Sequence, residues 1–303
     1  MPLRPPDAIR AAPGLPVGSS ISGDPGASAP ARARSAKLIT EVDVADLLAP
    51  GLWWLHGTRG SNVYLVESDD GQLALVDTGF SSSAEAIIGE LKAFDLLPRL
   101  TAILLTHMHL DHAGSAGMLR KLTGARLVAG RGDCYERGGQ LFLRSRVGRT
   151  HLAHVLSRRR VPAPVDLAVV SETEVLPGIR AIPTPGHTSG SLCYVVDRLG
   201  AAFVGDVVIS HGGQLTRSMR LANEDDALYL ETLKQFAAAA PERGLPGHGE
   251  PLLDGFGDAL RALAALPRRR DGPRLHGQRF ARMFRFGRGM TRRRVGAAPD
   301  QPR

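Results

Sequence analysis

Within the heptapeptide Thr106-His-Met-His-Leu-Asp-His112 the chain concentrates three imidazoles, His107, His109 and His112, and one carboxylate, Asp111. Neutral imidazole and ionised carboxylate together suit zinc, manganese or iron better than the oxygen-preferring magnesium or calcium. Three more side chains of these types stand alone in distant, glycine-containing segments. They are His187 in Thr184-Pro-Gly-His-Thr-Ser-Gly190, Asp206 after Gly205, and His248 in Leu245-Pro-Gly-His-Gly-Glu-Pro251. One histidine among the ten in the chain proves little, but the joint arrangement reads as a metal centre.

The spacing inside the heptapeptide predicts two binding points. On extended backbone alternate residues share a side, so His107 and His109 point together. Asp111 and His112 fall where a helix begins and reach a second, neighbouring point. Two adjacent divalent ions are the resulting expectation, zinc first with iron or manganese as alternatives, and Asp206 is the natural bridging carboxylate. Two ions sharing a water lower its pKa toward neutrality and polarise a carbonyl or phosphoryl oxygen. The expected reaction class is therefore metal-assisted hydrolysis, which needs no Ser or Cys nucleophile. The sequence has no G-x-S-x-G nucleophile elbow and no phosphate-cradling G-x-x-x-x-G-K-[ST] loop.

Short β-branched and aliphatic runs predict the elements that position these residues. Strands are expected at 52–55, 62–66, 72–76, 101–105 and 126–129, and again at 167–170, 178–182, 191–196 and 201–204. Helices are expected at 84–94, 113–122, 224–240 and 256–266, with Ser81 to Ser83 capping the first and Asn223 the third. The ligand-type residues sit in loops at strand ends, the usual place for binding loops, and the layout favours an α/β fold. Residues 131–165 hold eight arginines and a helical pattern through Leu141, Phe142, Val147, Leu152, Val155 and Leu156. They read as a basic helical insertion, a candidate lid favouring an anionic small-molecule substrate. His151 and His154 inside it have no nearby carboxylate to complete a site. Tyr194 reads as a core tyrosine rather than a catalytic one, and His211 as a surface residue.

Composition narrows the class. At 303 residues and 43% hydrophobic content the chain can bury a full core. No apolar run approaches the roughly 20 residues of a membrane span. Residues 1–37 are rich in Ala, Pro, Gly and Ser without an apolar signal core, and are expected to be disordered. Cys134 and Cys193 form no C-x-x-C pair, which fits a reduced, cytoplasmic setting. The formal charge of +8 resides in the ends: residues 268–303 carry twelve arginines against Asp271 and Asp300, while 38–267 is net −5. The Arg-rich tail is expected to be a solvated, disordered segment, with weak, salt-sensitive polyanion or nucleic-acid contact as its functional reading. No motif bears on oligomeric state.

Thr106-His-Met-His-Leu-Asp-His112, Pro185-Gly-His-Thr-Ser-Gly-Ser191, Gly205-Asp206 and Gly247-His-Gly249, with Val76-Asp-Thr-Gly79 upstream, resemble the ordered motifs of the metallo-β-lactamase superfamily. The resemblance covers about residues 50–255, within a body of 38–267. It implies a four-layer αββα sandwich with a dinuclear site at one edge. It also implies that His107, His109 and His187 bind one ion, Asp111, His112 and His248 the other, and Asp206 both, with Asp77 supporting rather than ligating. The pattern is closer to the glyoxalase II and lactonase branches than to the lactam-cleaving enzymes, which often have a cysteine where Asp206 stands; this implies a metal-bound hydroxide attacking an ester, thioester or lactone carbonyl, with Asp111 assigned to catalysis. Other activities of the fold are a phosphodiesterase or nuclease, a mononuclear-iron persulfide dioxygenase-like oxidoreductase, and a metal-holding binding protein.

Overall fold

The computed structural model describes residues 45–144 and 161–267. The terminal segments 1–37 and 268–303, and His151 and His154, lie outside the described residues.

Alternation of side chains along the strands separates three apolar layers. The first sheet runs β1 (Ala45–Ala49), β2 (Leu52–Leu55), β3 (Val63–Glu67), β4 (Leu73–Val76), β5 (Leu100–Leu104), β6 (Arg126–Gly130) and β9 (Leu167–Val169), in that spatial order. β1 to β4 form an antiparallel meander; β5, β6 and β9 add in parallel. The second sheet is β10 (Thr173–Leu176), β11 (Ile179–Pro183), β12 (Leu192–Val196), β13 (Ala201–Gly205) and β16 (Arg243–Pro246), antiparallel except for the β13–β16 pair.

Leu73, Leu75 and Ile103 point outward onto Ile87 and Leu91 of α1 (Ala84–Ala93) and Leu119 of α3 (Ala116–Thr123). Their neighbours Ala74, Val76, Ala102 and Leu104 point inward and meet Leu192, Tyr194, Ala201 and Phe203 of the second sheet. Cys193, Val195, Ala202 and Val204 face the other way, onto Tyr229, Leu233 and Phe236 of α4 (Asp226–Ala238) and Leu260 of α5 (Phe256–Ala265). The result is a four-layer αββα sandwich. Strands buried on both faces read as unbroken apolar runs, which is why 101–105 and 192–196 were legible. Truncating one such side chain, Leu104→Ala for example, is worth about 2–5 kcal/mol.

Two turns depart from expectation. Residues 134–143 form a hairpin, β7 (Cys134–Arg137) with β8 (Gln140–Leu143), and not a helix. Gly138 and Gly139 both take positive φ (59° and 76°), the requirement of the tight turn whose twist matches paired strands. Tyr135 then stacks on Phe142 with centroids 5.8 Å apart, so Phe142, expected on a helical face, is half of a cross-strand pair. The rest of the expected insertion helix, 145–160, lies outside the described residues. Val208–His211 (β14) and Gln214–Arg217 (β15) form a second hairpin by the same Gly-Gly device.

The helix expected from 224 starts at Asp226, and its cap is Asp225. The Asp225 carboxylate accepts from the backbone N–H of Ala227 (2.9 Å) and Leu228 (3.0 Å). Asn223 is employed elsewhere. At the first helix Ser83 occupies the cap position, but its hydroxyl accepts from Arg59 N instead (2.9 Å). Among the described residues no helix is long and apolar enough to cross a membrane.

Candidate metal centre

Every ligand-type segment leaves a strand at the same edge of the sandwich. Parallel pairing of β4 with β5 and of β13 with β16 puts the ends of those strands side by side. His107 and His109 follow β5, Asp111 and His112 lie in the short helix α2 (Leu110–Ala113), His187 lies between β11 and β12, Asp206 follows β13 and His248 follows β16. Backbone bonds lock the loops together: Leu192 N donates to Thr106 O (2.8 Å), Gly247 N to Gly205 O (2.8 Å), and Asn62 N to Gly247 O (2.7 Å). Asn62 Nδ2 also donates to Pro246 O (2.9 Å) and Gly249 O (2.7 Å), seating the His248 loop from both sides. Gly247 must lack a side chain, since a Cβ there would lie 2.4 Å from His112 Cε1 and 2.9 Å from Asp206 Oδ1.

All seven side chains converge. His109 Nδ1 is 2.9 Å from His107 Nε2 and 3.0 Å from His187 Nε2. His112 Nε2 is 3.2 Å from both His248 Nε2 and Asp206 Oδ1. His248 Nε2 is 3.3 Å from Asp111 Oδ2 and 3.5 Å from Asp206 Oδ1, while Asp206 Oδ2 is 3.6 Å from His187 Nε2. Donor atoms group as His107–His109–His187, His107–His112–Asp206 and Asp111–His112–His248, each within 4.8 Å.

These spacings fit divalent ions. Tetrahedral bonds of about 2.0–2.1 Å give ligand–ligand edges of roughly 3.3–3.4 Å. Facing imidazole nitrogens at 2.9–3.2 Å need a proton or a cation between them, and His109 Nδ1 faces both His107 Nε2 and His187 Nε2, a three-nitrogen cluster that one ion satisfies at once. Asp206 Oδ1 is buried and accepts no hydrogen bond. It stays unsatisfied 3.2 Å from His112 Nε2 when that ring's proton is on Nδ1, 2.8 Å from Asp77 Oδ2. A buried anion left this way is costly, and a positive ion removes the cost. No thiolate competes, because Cys134 and Cys193 are buried in the apolar layers.

The field differs across the centre. Burial, reinforced by the neighbouring histidines, holds His107 well below the ordinary value, and burial together with His187 holds His109 down at about 4. Burial also disfavours charge on His112 and His248, but the carboxylates outweigh it: Asp206, Asp77 and Asp111 raise His112, and Asp206 and Asp111 raise His248. Burial likewise opposes ionisation of Asp206 and Asp111. His248, His112 and His187 nonetheless hold Asp206 low, and His112 and His248 hold Asp111 low. In one half of the centre charge is disfavoured on His107 and His109; in the other the carboxylates favour it on His112 and His248.

Several supporting residues gave little signal in the sequence. Asp77 accepts from Thr106 N (2.8 Å) and Thr106 Oγ1 (2.7 Å) as well as facing His112, so it orients a ligand ring and does not face the donor cluster. Asn223, expected as a helix cap, places Oδ1 3.0 Å from His187 Nδ1. Its amide NH2 donates to Asp226 Oδ1 (2.9 Å), which fixes the oxygen toward the ring and leaves Nε2 for the centre. Ser218 Oγ approaches the same Nδ1 at 3.1 Å. Asp133, wholly buried, contacts the loops on either side of the centre, and burial pushes its carboxyl up to about 6. Neither Asp133, just past the end of β6, nor Asn223 carried a motif in the sequence. Tyr194 is fully buried and donates to Leu105 O (2.8 Å), a core role, and His211 is exposed at the end of β14.

A four-layer sandwich with a histidine–aspartate cluster at its strand ends is the frame of a candidate metal centre. A family model of the metallo-beta-lactamase superfamily matches residues 56–248, and the chain belongs to that superfamily. It is 28% identical over 210 residues to Thioesterase pkgB of Emericella nidulans, covering 68% of this chain and 49% of that protein. It is 28% identical over 234 residues to an atrochrysone carboxyl ACP thioesterase of Aspergillus fumigatus, covering 72% of this chain and 61% of that protein. The chain thus spans roughly half of the length of these relatives. Among solved structures, a metallo-beta-lactamase family protein from Thermus thermophilus shares the fold, with a TM-score of 0.55 at 21% identity over 72% of this chain and 78% of that one.

Proposed function

We propose that the protein is a dinuclear metal-dependent hydrolase of acyl thioesters. The observation that carries this reading is the convergence of seven donor side chains into overlapping sets around Asp206. His107, His109 and His187 would hold one ion, Asp111, His112 and His248 the other, and Asp206 would face both. Zinc suits this donor set. Such ions supply Lewis acidity toward the carbonyl and make water acidic near neutral pH. The names of the two fungal relatives support a thioester over the ester and lactone alternatives.

The chain's own groups complete the chemistry. Asp77 and Asn223 hold His112 and His187 with Nε2 toward the centre, so that orientation is set before substrate arrives. Buried His107, His112 and His187 wall the inner side against bulk water. Asp111 is the more open carboxylate, its side chain 30% exposed against 13% for Asp206. Held ionised by His112 and His248 against the pull of burial, it stands on the open side of the centre as a fixed negative charge that would help hold the second ion and orient water entering the site.

Thiol release from an acyl-thioester tests this. The full-length protein loaded with zinc is expected to release thiol, and chelation or Asp111→Ala to remove most of that activity. Cleavage of a phosphodiester reporter with no thioester turnover would contradict the substrate class.

A further inference from the structure

Asp133 is fully buried, and all of its hydrogen-bond partners are neutral. A buried carboxyl is expensive compared with an apolar side chain filling the same space, so its bonds matter. Oδ2 accepts from Met108 N (2.8 Å), the peptide between His107 and His109. The same oxygen accepts from Thr188 Oγ1 (2.9 Å), and Oδ1 accepts from Gly190 N (3.0 Å), both in the loop that carries His187.

The backbones around it touch. A Cβ on Gly130 would fall 1.9 Å from Gly190 O, and one on Gly132 would fall 2.2 Å from Ser189 O. The turn Gly130 to Asp133 is therefore wedged between two ligand loops that are far apart in sequence. Asp111, His112 and His248 depend on other fixings: Asp77 for His112, and Asn62 for the His248 loop.

We propose that Asp133 is a positioning residue that registers the His107–His109 loop against the His187 loop and so sets the three-imidazole half of the centre. Resting on the metal reading above, this gives the three-imidazole half a support of its own in Asp133, whereas Asp77 faces His112 directly and reaches His107 only through Thr106 Oγ1. Losing an outer support of this kind lowers metal affinity by about 10–100-fold.

The test uses the full-length chain, stripped of metal and titrated with zinc against a chromophoric chelator. Asp133→Asn is compared with wild type, with His187→Ala and with His248→Ala, and metal-free melting temperatures are recorded for each. Asp133→Asn is expected to weaken one of two zinc ions by about 10–100-fold. The weakened ion should be the one lost in His187→Ala, and the ion lost in His248→Ala should keep its affinity. Equal weakening of both ions, or none, overturns the proposal. If Asp133→Asn does not fold, Thr188→Val removes a single bond to the same carboxylate and must show the same selectivity on a smaller scale; no selectivity there also overturns it. A wild-type chain that binds no zinc sinks the metal reading and this proposal together, whereas two ions bound normally by both proteins sinks this proposal alone.

Discussion

Asp77→Asn is the substitution that isolates orientation from ligation. Asp77 sits at φ 59°, a left-handed conformation that asparagine tolerates well, so the backbone has no reason to move. The carboxylate accepts at once from Thr106 N, from Thr106 Oγ1 and from the His112 ring. An amide has one acceptor oxygen. If that oxygen stays with Thr106 N, the NH2 faces His112 Nδ1 and favours the tautomer with Nδ1 bare. The ring proton then sits on Nε2, aimed at Asp206 Oδ1 3.2 Å away and blocking the lone pair an ion needs. If the amide flips, its NH2 meets Thr106 N–H, donor against donor. Either arrangement loses support worth about 10–100-fold in affinity, or roughly 1.4–2.7 kcal/mol. The assay is zinc titration of metal-free protein against a chelator, with circular dichroism to verify folding. The expected outcome is the larger weakening at the ion shared by Asp111, His112 and His248, with a smaller effect on the three-imidazole set, which Asp77 reaches only through Thr106 Oγ1 and His107 Nδ1. Unchanged affinity in a folded variant would refute the claim that Asp77 sets the His112 tautomer.

Acid should strip the ions in order. Protons compete with metal for ligands, and His112 and His248 bind protons more tightly than ordinary histidine while His107 and His109 bind them less, His109 titrating near 4. As pH falls from neutrality the Asp111–His112–His248 ion should therefore leave first, which metal content after stepwise dialysis will show; the reverse order would contradict the assignment. Gly247→Ala should cost about 1–3 kcal/mol in thermal unfolding and depress metal uptake, because the new Cβ meets His112 and Asp206. Tyr194→Phe should lower stability by about 0.5–1.5 kcal/mol and leave kcat unchanged, since its hydroxyl serves Leu105 O. A large fall in kcat for that variant would return Tyr194 to the catalytic machinery.

The apolar strand runs and the order of ligand loops were legible because each is a local pattern: 101–105 and 191–196 are mostly apolar runs bounded by turn residues, and the ligand-type residues follow strand ends. What escaped depends on partners distant in sequence. Asn223 looks like a cap beside Glu224, but Asp225 wins the helix N-terminus because its carboxylate reaches two N–H groups, freeing Asn223 for His187. Leu141 and Phe142 fit a helical spacing, yet Gly138-Gly139 makes a hairpin turn there. Arg243–Pro246 is too short and glycine-broken to stand out as a strand, and pairs only because β13 is beside it. Asp133 carries no motif at all; its three bonds exist only once the two ligand loops are folded together.

The most direct measurement is thiol release from an acyl-thioester as zinc is returned in measured equivalents to chelated full-length protein. Activity that climbs until two ions are bound per chain is the expected result, matching the proposed ions on either side of Asp206, whose oxygens lie 3.2 Å from His112 Nε2 and 3.6 Å from His187 Nε2. A plateau at one ion, or thiol release indifferent to metal, would contradict a dinuclear hydrolase.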